Sequence, residues 1–237
     1  MRFDIITIFP KIFDSYFNES IIKRARERGL IDIRVHDLRK FSSNKRKKVD
    51  DRPYGGGPGM VLKIEPLAKA IGSILSIKYK VSSIKYKKTL VILFSAGGKQ
   101  FNQSAAQLMS KKYNRVIMIA GHYEGIDERI KSLIHNTGYL IQELSIGPYV
   151  LTGGEIPAMV VVDAVSRQIP GVLGKNESLE EKRHGIGVPM YTRPEIFSAE
   201  GGSASGGEYK NKKYRVPKIL LSGDHKKIEE WRKEHRK

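Results

Sequence analysis

The sequence predicts an α/β fold, a mostly parallel sheet with helices on its faces. Three observations carry that prediction. Short apolar, β-branched runs alternate with segments of helical spacing through residues 1 to about 170. The runs "TLVILFSAGG", "NRVIMIAGHYEG" and "GYLIQELSIG" each end in glycine. The intervening segments are long enough to carry a chain back across a sheet for parallel pairing.

Taken in order, "FDIITIF" is a strand, and Pro10 suits the first turn of a helix that follows it. Phe9, Phe13, Phe17 and Ile21 recur at helical spacing, with Gly29 as the stop. "LIDIRVHDL" alternates as a half-buried strand does, and "KIEPLAKAIGSIL" reads as a helix. The three glycine-ended runs are strands, with "FNQSAAQLM" and "IDERIKSLI" as helices between them and "EIPAMVVVDAVSRQI" as a third helix. After Pro170 the texture becomes polar and glycine-spaced, as in a linker. A Gly/Ser-rich stretch, "SAEGGSASGGEYKNKKYR", then runs into a basic cluster. "DHKKIEEWRKEHRK" is a short helix capped by Asp224, with Ile228 and Trp231 on one face.

Composition narrows the function classes. Lys and Arg outnumber Asp and Glu 43 to 25, a formal net charge of +18, which favours a polyanionic partner such as nucleic acid. No apolar run approaches the ~20 residues of a membrane span. "FDIITIFPKIF" begins too early, and is too interrupted by Asp4 and Pro10, to read as a signal peptide. With no cysteine there is no disulfide frame and no thiolate metal site, which fits a cytoplasmic setting. The six histidines show no paired ligand spacing, so no structural metal is expected.

Ligands of open parallel sheets bind beyond the carboxyl ends of the strands. Gly97, Gly98, Gly121, Gly125 and Gly147 fall there. "GGGPGMVL" lacks the Lys-Ser/Thr ending of a P-loop, and the first strand runs into "FPKIF" instead of a dinucleotide-binding turn. What remains is backbone-rich loops, "FSAGG", "AGHYEG" and "SIGPYVLTGGE", able to hydrogen-bond an adenine edge and a ribose. The stretch "VDDRPYGGGPGM" is open to three readings: a phosphate wrap, a backbone laid bare to something flat, or a plain turn.

In that order along the chain, "VDDRPYGGGPGM", "GHYEGIDERI", "SIGPYVLTGGEIPAM", "VSRQIPGVLG" and "YTRPE" resemble the bacterial tRNA (guanine-N1)-methyltransferases, the TrmD family. The resemblance implies a SPOUT-type fold with a deep trefoil knot and a homodimer whose active sites lie at the subunit interface. It also implies methyl transfer from S-adenosylmethionine to N1 of the guanosine immediately 3′ of the tRNA anticodon, which helps to hold the reading frame. On it, residues 1–174 are the knotted methyltransferase domain, 175–190 a linker, and 191–237 a small helical tRNA-binding domain.

The same resemblance assigns site residues. Ser95, Ala96, Gly121, Tyr123, Ile146, Gly147, Pro148, Tyr149, Val150, Leu151, Gly153, Gly154 and Pro157 would cradle the methyl donor. Pro148 stands where the family usually has Asp, which removes a backbone donor there. Asp50, Arg52, Tyr54, Pro58 and Gly59 would face the guanine, with Pro58 as a flat apolar surface for a base drawn from its stack; the plainer reading of Asp50, Asp51 and Arg52 is a local salt-bridged turn. Glu124 would lie near the reacting centre and Arg167 would steady charge on O6; the plainer reading of Arg167 is a cation at a helix C-terminus. The family's general base is a linker Asp, and counting forward from "GVLG" reaches Lys182 instead. A slip of one or two residues makes Glu181 the favoured base over Glu180 and His184. Magnesium is reported for the family, but no carboxylate cluster here demands a protein-held ion. Basic residues of "NKRKK", "KNKKYR" and the last helix would meet tRNA phosphates. Two rival readings are a scaffold that binds RNA without chemistry and an enzyme acting on ribose 2′-oxygens.

Overall fold

The computed structural model describes residues 1–75, 88–174, 187–198 and 213–236. The chain divides into two compact units, Met1–Gly174 and Lys175–Lys237.

The first unit is built on a five-stranded sheet whose pairings are all parallel. Its strands are β1 (Arg2–Thr7), β2 (Asp32–Asp37), β5 (Thr89–Gln100), β6 (Arg115–Ile119) and β7 (Leu140–Ser145), in the order β2-β1-β6-β5-β7. A separate two-stranded ribbon joins β3 (Asp50–Asp51) to β4 (Val61–Leu62). The strands that sequence spacing predicted are all present.

Period-two alternation divides the core between the faces of the sheet. Phe3, Ile5, Leu90, Ile92, Val116 and Met118 point to one face. There they meet α2 (Ser20–Glu27), α4 (Gln103–Lys112) and α6 (Glu155–Ser166) through Ile22, Ala25, Ala106, Met109, Ala158 and Val161. Ile6, Val91, Leu93, Ile117 and Ile119 point to the other, against Leu67, Ala70 and Ile71 of α3 (Ile64–Leu75) and Ile130 and Ile134 of α5 (Arg129–Asn136). The central strands are apolar on both faces, which is why they read as continuous runs.

Two local features differ from expectation. The single helix expected after Pro10 is a 3₁₀ turn (Pro10–Phe13), a four-residue α1 (Asp14–Phe17) and then α2, broken where Ser20 takes a φ of +47°. Phe13 and Phe17 are buried while Phe9 and Ile21 are exposed, so half the helical stripe faces outward. The second feature lies in β5, which pairs with β7 up to Phe94 and again from Lys99, both opposite Leu144. Ser95 to Gly98 therefore bulge out of the ladder. At Gly98 a Cβ would come within 2.8 Å of the Leu144 backbone, so only glycine lets the bulge lie this close.

In the second unit the described elements are a short antiparallel pair, β8 (Ile196–Ser198) with β9 (Lys213–Arg215), then α7 (Lys218–Leu221) and α8 (His225–Glu234). Asp224 caps α8 as expected, its carboxylate accepting from the Lys227 amide. Ile228 is buried and Trp231 stacks on His235.

Candidate active site

The carboxyl ends of β5, β6 and β7 open into a cleft of about 340 Å³, of nucleoside size. Three loops wall it. The β5 bulge contributes Ser95 and Ala96, the turn after β6 contributes Gly121 to Ile126, and the segment after β7 contributes Ile146 and Tyr149 to Gly154. Pro157, in the first turn of α6, closes the floor.

The loops are fastened to one another by backbone. The Gly154 amide donates to the Gly121 carbonyl at 2.8 Å, and His122 bridges Gly153 in antiparallel fashion. A Cβ on Gly154 would sit 2.6 Å from Ala120 Cα, so the crossing requires glycine. Gly147 is buried and does not itself line the cleft; the Tyr149 ring folds back over it, where a Cβ would meet the ring at 2.2 Å. Tyr123 holds a φ of +59°, a left-handed conformation that costs a non-glycine residue about 1–2 kcal/mol. Backbone strain of that kind collects at functional sites.

The opening glycine stretch is the tip of the β3–β4 ribbon. Gly55, Gly56, Gly57 and Gly59 all take positive φ, which settles part of its role: these are turns that other residues rarely make. Tyr54, at its apex, is 99% exposed. The ribbon is stitched to the cleft, since the Glu124 amide donates to the Met60 carbonyl at 3.0 Å and the Leu62 amide to the Gly125 carbonyl at 3.0 Å. Glu124 lies so close over Gly59 that a Cβ there would meet its carboxylate oxygen at 2.3 Å. Asp51 accepts from the Arg52 amide and from Lys48, and these contacts lower its pKa.

Of the residues singled out in the sequence, Ser95, Ala96, Gly121, Tyr123, Glu124, Ile146, Tyr149, Val150, Leu151, Gly153, Gly154 and Pro157 line this one cleft. Asp50, Arg52, Tyr54, Pro58 and Gly59 belong to the ribbon beside it. Pro148 is exposed and outside the lining. Arg167 is half-buried at the far end of α6, about 18 Å along the helix axis from the cleft end. Glu180, Glu181, Lys182 and His184 lie outside the described residues, as does the Gly/Ser-rich stretch at 201–207.

Sequence reasoning missed several lining side chains. Lys131 of α5 pairs with Glu128 and, at 2.7 Å, with Glu143 of β7, and all three line the cleft. Although burial works against its charge, these carboxylates raise the Lys131 pKa. His122 also lines the cleft, and Glu155 lies behind it with its side chain 6% exposed. Charged residues placed three apart on a helix were a signal available for the Glu128–Lys131 pair. Nothing local links Glu155 to His122. Among the described residues no group of three or more His, Asp or Glu is placed to hold a metal ion. None of their helices is long and apolar enough to cross a membrane.

A parallel α/β unit with a backbone-walled cleft at the carboxyl edge of its sheet belongs to the class of open-sheet proteins that bind ligands at that edge. Comparison with known sequences makes this specific. The model of the family described as "tRNA (Guanine-1)-methyltransferase TrmD" matches residues 1–237, and the chain belongs to that family. It is 47% identical over 237 residues to a tRNA (guanine-N(1)-)-methyltransferase of Clostridioides difficile, covering 99% of this chain and 91% of that one. Proteins of the same name from Dictyoglomus turgidum and Moorella thermoacetica are 48% and 42% identical, over 98% and 99% of this chain and 84% of each of theirs.

Proposed function

We propose that the chain transfers a methyl group from S-adenosylmethionine to N1 of the guanosine immediately 3′ of the tRNA anticodon. One observation carries the reading: the β3–β4 ribbon is hydrogen-bonded to the rim of a nucleoside-sized cleft. A base resting on the ribbon thereby comes beside a donor lying in the cleft. The lining suits that donor. Its glycines leave backbone open to a purine and ribose, and Glu124, Glu128 and Glu143 outnumber Lys131, which pairs with the last two, in the wall of a chain otherwise strongly basic. The donor supplies an electrophilic methyl on a sulfonium.

The residues do the remaining work. N1 of guanine carries a proton and attacks only when that proton is taken by a carboxylate, the role assigned to Glu181 and worth about 10²–10⁴-fold. Charge then spreads to O6, where the Arg167 guanidinium steadies it. Glu124, held over Gly59, keeps the ribbon tip and the cleft rim in register.

Arg167 is distant from the cleft of its own chain, and a second copy of the chain would remove that difficulty. Ile156, Val160 and Arg167 fall on one face of α6, and Ile156 and Val160 are exposed together with Phe9, Ile12 and Tyr16. An uncovered apolar face of this kind supports a homodimer whose partner completes each site. The crossing of 153–154 over 121–122 supports the knotted path of the family, and an experimental chain trace through 88–174 tests it. Residues 175–190 act as linker and 191–237 as the tRNA-binding unit, in the cytoplasm, and any magnesium the reaction uses is not held by the protein.

The test is methyl incorporation into tRNA transcripts. Transfer is expected to the guanosine 3′ of the anticodon and not to a transcript with adenosine there; equal labelling of both would point to ribose and overturn the assignment. Glu181→Ala is expected to abolish transfer while leaving donor affinity intact, and normal turnover would move the base elsewhere.

A further inference from the structure

Glu155 is a buried carboxylate that the reaction above does not use. Its Oε1 accepts from the Thr7 hydroxyl at 2.8 Å, and that hydroxyl in turn accepts from the Phe9 amide at 2.9 Å. Its Oε2 faces Nδ1 of His122 at 4.0 Å. That nitrogen is buried and makes no hydrogen bond. The approach depends on Gly153, where a Cβ would fall 2.3 Å from Oε2 and 2.7 Å from Nδ1. Two aromatic edges fix the imidazole plane: Phe9 at 4.9 Å and 74°, and Tyr123 at 4.7 Å and 82°.

We propose that Glu155 is a positioning residue that holds His122 in the Nδ1–H tautomer, so that Nε2 offers the cleft a hydrogen-bond acceptor for a hydroxyl or ammonium of the bound nucleoside. At 4.0 Å the pair is just outside hydrogen-bond reach, so the preference is electrostatic: a carboxylate can only accept, and it favours the hydrogen on the ring nitrogen that faces it. In a neutral imidazole the lone pair then lies on Nε2, at the other side of a ring that lines the cleft. Holding one tautomer in advance spares the ligand that selection on binding. The inference rests on the reading of the cleft as the methyl donor's site.

The tautomer is measured first, by nitrogen-15 NMR of the histidines in the ligand-free protein, with His122 assigned by its loss in His122→Asn. The Nδ1–H form is expected, and an Nε2–H signal overturns the proposal. In Glu155→Gln the amide can present its NH₂ to Nδ1, and the signal is expected to switch to Nε2–H; no switch overturns it. Calorimetry then compares S-adenosylmethionine with 5′-methylthioadenosine, which keeps the ribose and lacks the ammonium. His122→Asn retains a donor toward Glu155 but nothing at Nε2, and is expected to weaken S-adenosylmethionine by roughly three- to ten-fold, the worth of one hydrogen bond. His122→Gln, which reaches the Nε2 position, is expected to recover part of that loss. A purely structural histidine would show the reverse order, which overturns the proposal. Loss for both ligands identifies the hydroxyl as partner, loss for S-adenosylmethionine alone identifies the ammonium, and loss for neither overturns it. Should the native protein bind neither nucleoside, the donor-site reading falls, and with it the ligand half of this proposal. The tautomer measurement still decides the other half.

Discussion

The two ends of the central sheet treat charge in opposite ways. Toward the amino end, Asp4 is fully buried, and both of its oxygens are engaged. Arg2 and His36 each reach Oδ1 at 2.7 Å, and Arg115 reaches Oδ2 at 2.7 Å while also donating to the Ile74 carbonyl. At the carboxyl end, Glu155 spends one oxygen on Thr7 and aims the other at a ring nitrogen just beyond hydrogen-bond reach. There β5 bulges and Tyr123 sits at positive φ. The closed network fixes strands β1, β2 and β6 against one another, and the open one leaves a polar atom unpaired beside the cleft. A sealed ionic cluster and an open cleft thereby stand at opposite edges of one sheet.

The sharpest way to break this contrast is Asp4→Asn. Removing one partner from a buried ionic cluster costs about 3–5 kcal/mol, because Arg2 and Arg115 then converge on a neutral amide. Denaturant melts measure the loss, and donor affinity of the folded fraction should not change. Burial pushes the Asp4 carboxyl up, but hydrogen bonds from His36, Arg2 and Arg115 outweigh it and hold the group well below the usual carboxylate range. A depressed folded pKa means that the unfolded chain takes up the proton first. The Asp4 contribution is therefore full above about pH 4, the ordinary aspartate value, and fades as pH falls further. Native and Asp4→Asn curves should converge under acid; a gap that widens there would refute the network's role.

Arg167→Ala comes next. In the proposed role at O6, its loss lowers turnover by about 10²–10³-fold, or about 2.7–4 kcal/mol. If the partner subunit completes each site, mixing Arg167→Ala with a Glu181→Ala chain restores part of the activity in mixed dimers. No restoration would confine both residues to one chain. Gly59→Ala tests the junction between ribbon and cleft. A side chain at a φ of +87° carries about 1–2 kcal/mol of strain, and its Cβ also displaces the Glu124 carboxylate. Turnover should fall by more than the strain alone predicts, about ten-fold or more, with the melting temperature lowered only modestly.

What the sequence disclosed, and what it hid, follows the same geography. Strands β5, β6 and β7 were legible because apolar runs ending in glycine are local patterns, and their ends carried most of the cleft. Asp4 was legible only as an interruption of an apolar run, since two of its partners, His36 and Arg115, are 32 and 111 residues away. The Thr7–Glu155 bond spans 148 residues and was equally hidden. The break at Ser20 escaped because apolar spacing of four, Phe9, Phe13, Phe17 and Ile21, continues through it, and only backbone dihedrals report the turn. Gly147 and Pro148 were assigned to the cleft as part of a contiguous motif. In the fold Tyr149 bends back over Gly147, so the motif's middle leaves the wall that its flanks build.

Tyr54→Ala is expected to give the smallest effect, and it isolates the ribbon from everything beneath it. The ring is 99% exposed, so its removal should change stability by less than about 0.5 kcal/mol. A solvent-facing ring at the apex of a glycine loop has no packing reason to be aromatic, whereas a base can stack on it. Stacking of that kind is worth about 1–3 kcal/mol, and a ring free to reorient belongs at the low end. The expected result is a few-fold weaker tRNA affinity with donor affinity unchanged, read by filter binding and calorimetry on the same preparation. The loss should persist at raised salt, because stacking, unlike phosphate contacts, releases no counterions. A deficit that vanished with salt would turn the ribbon tip into one more electrostatic contact.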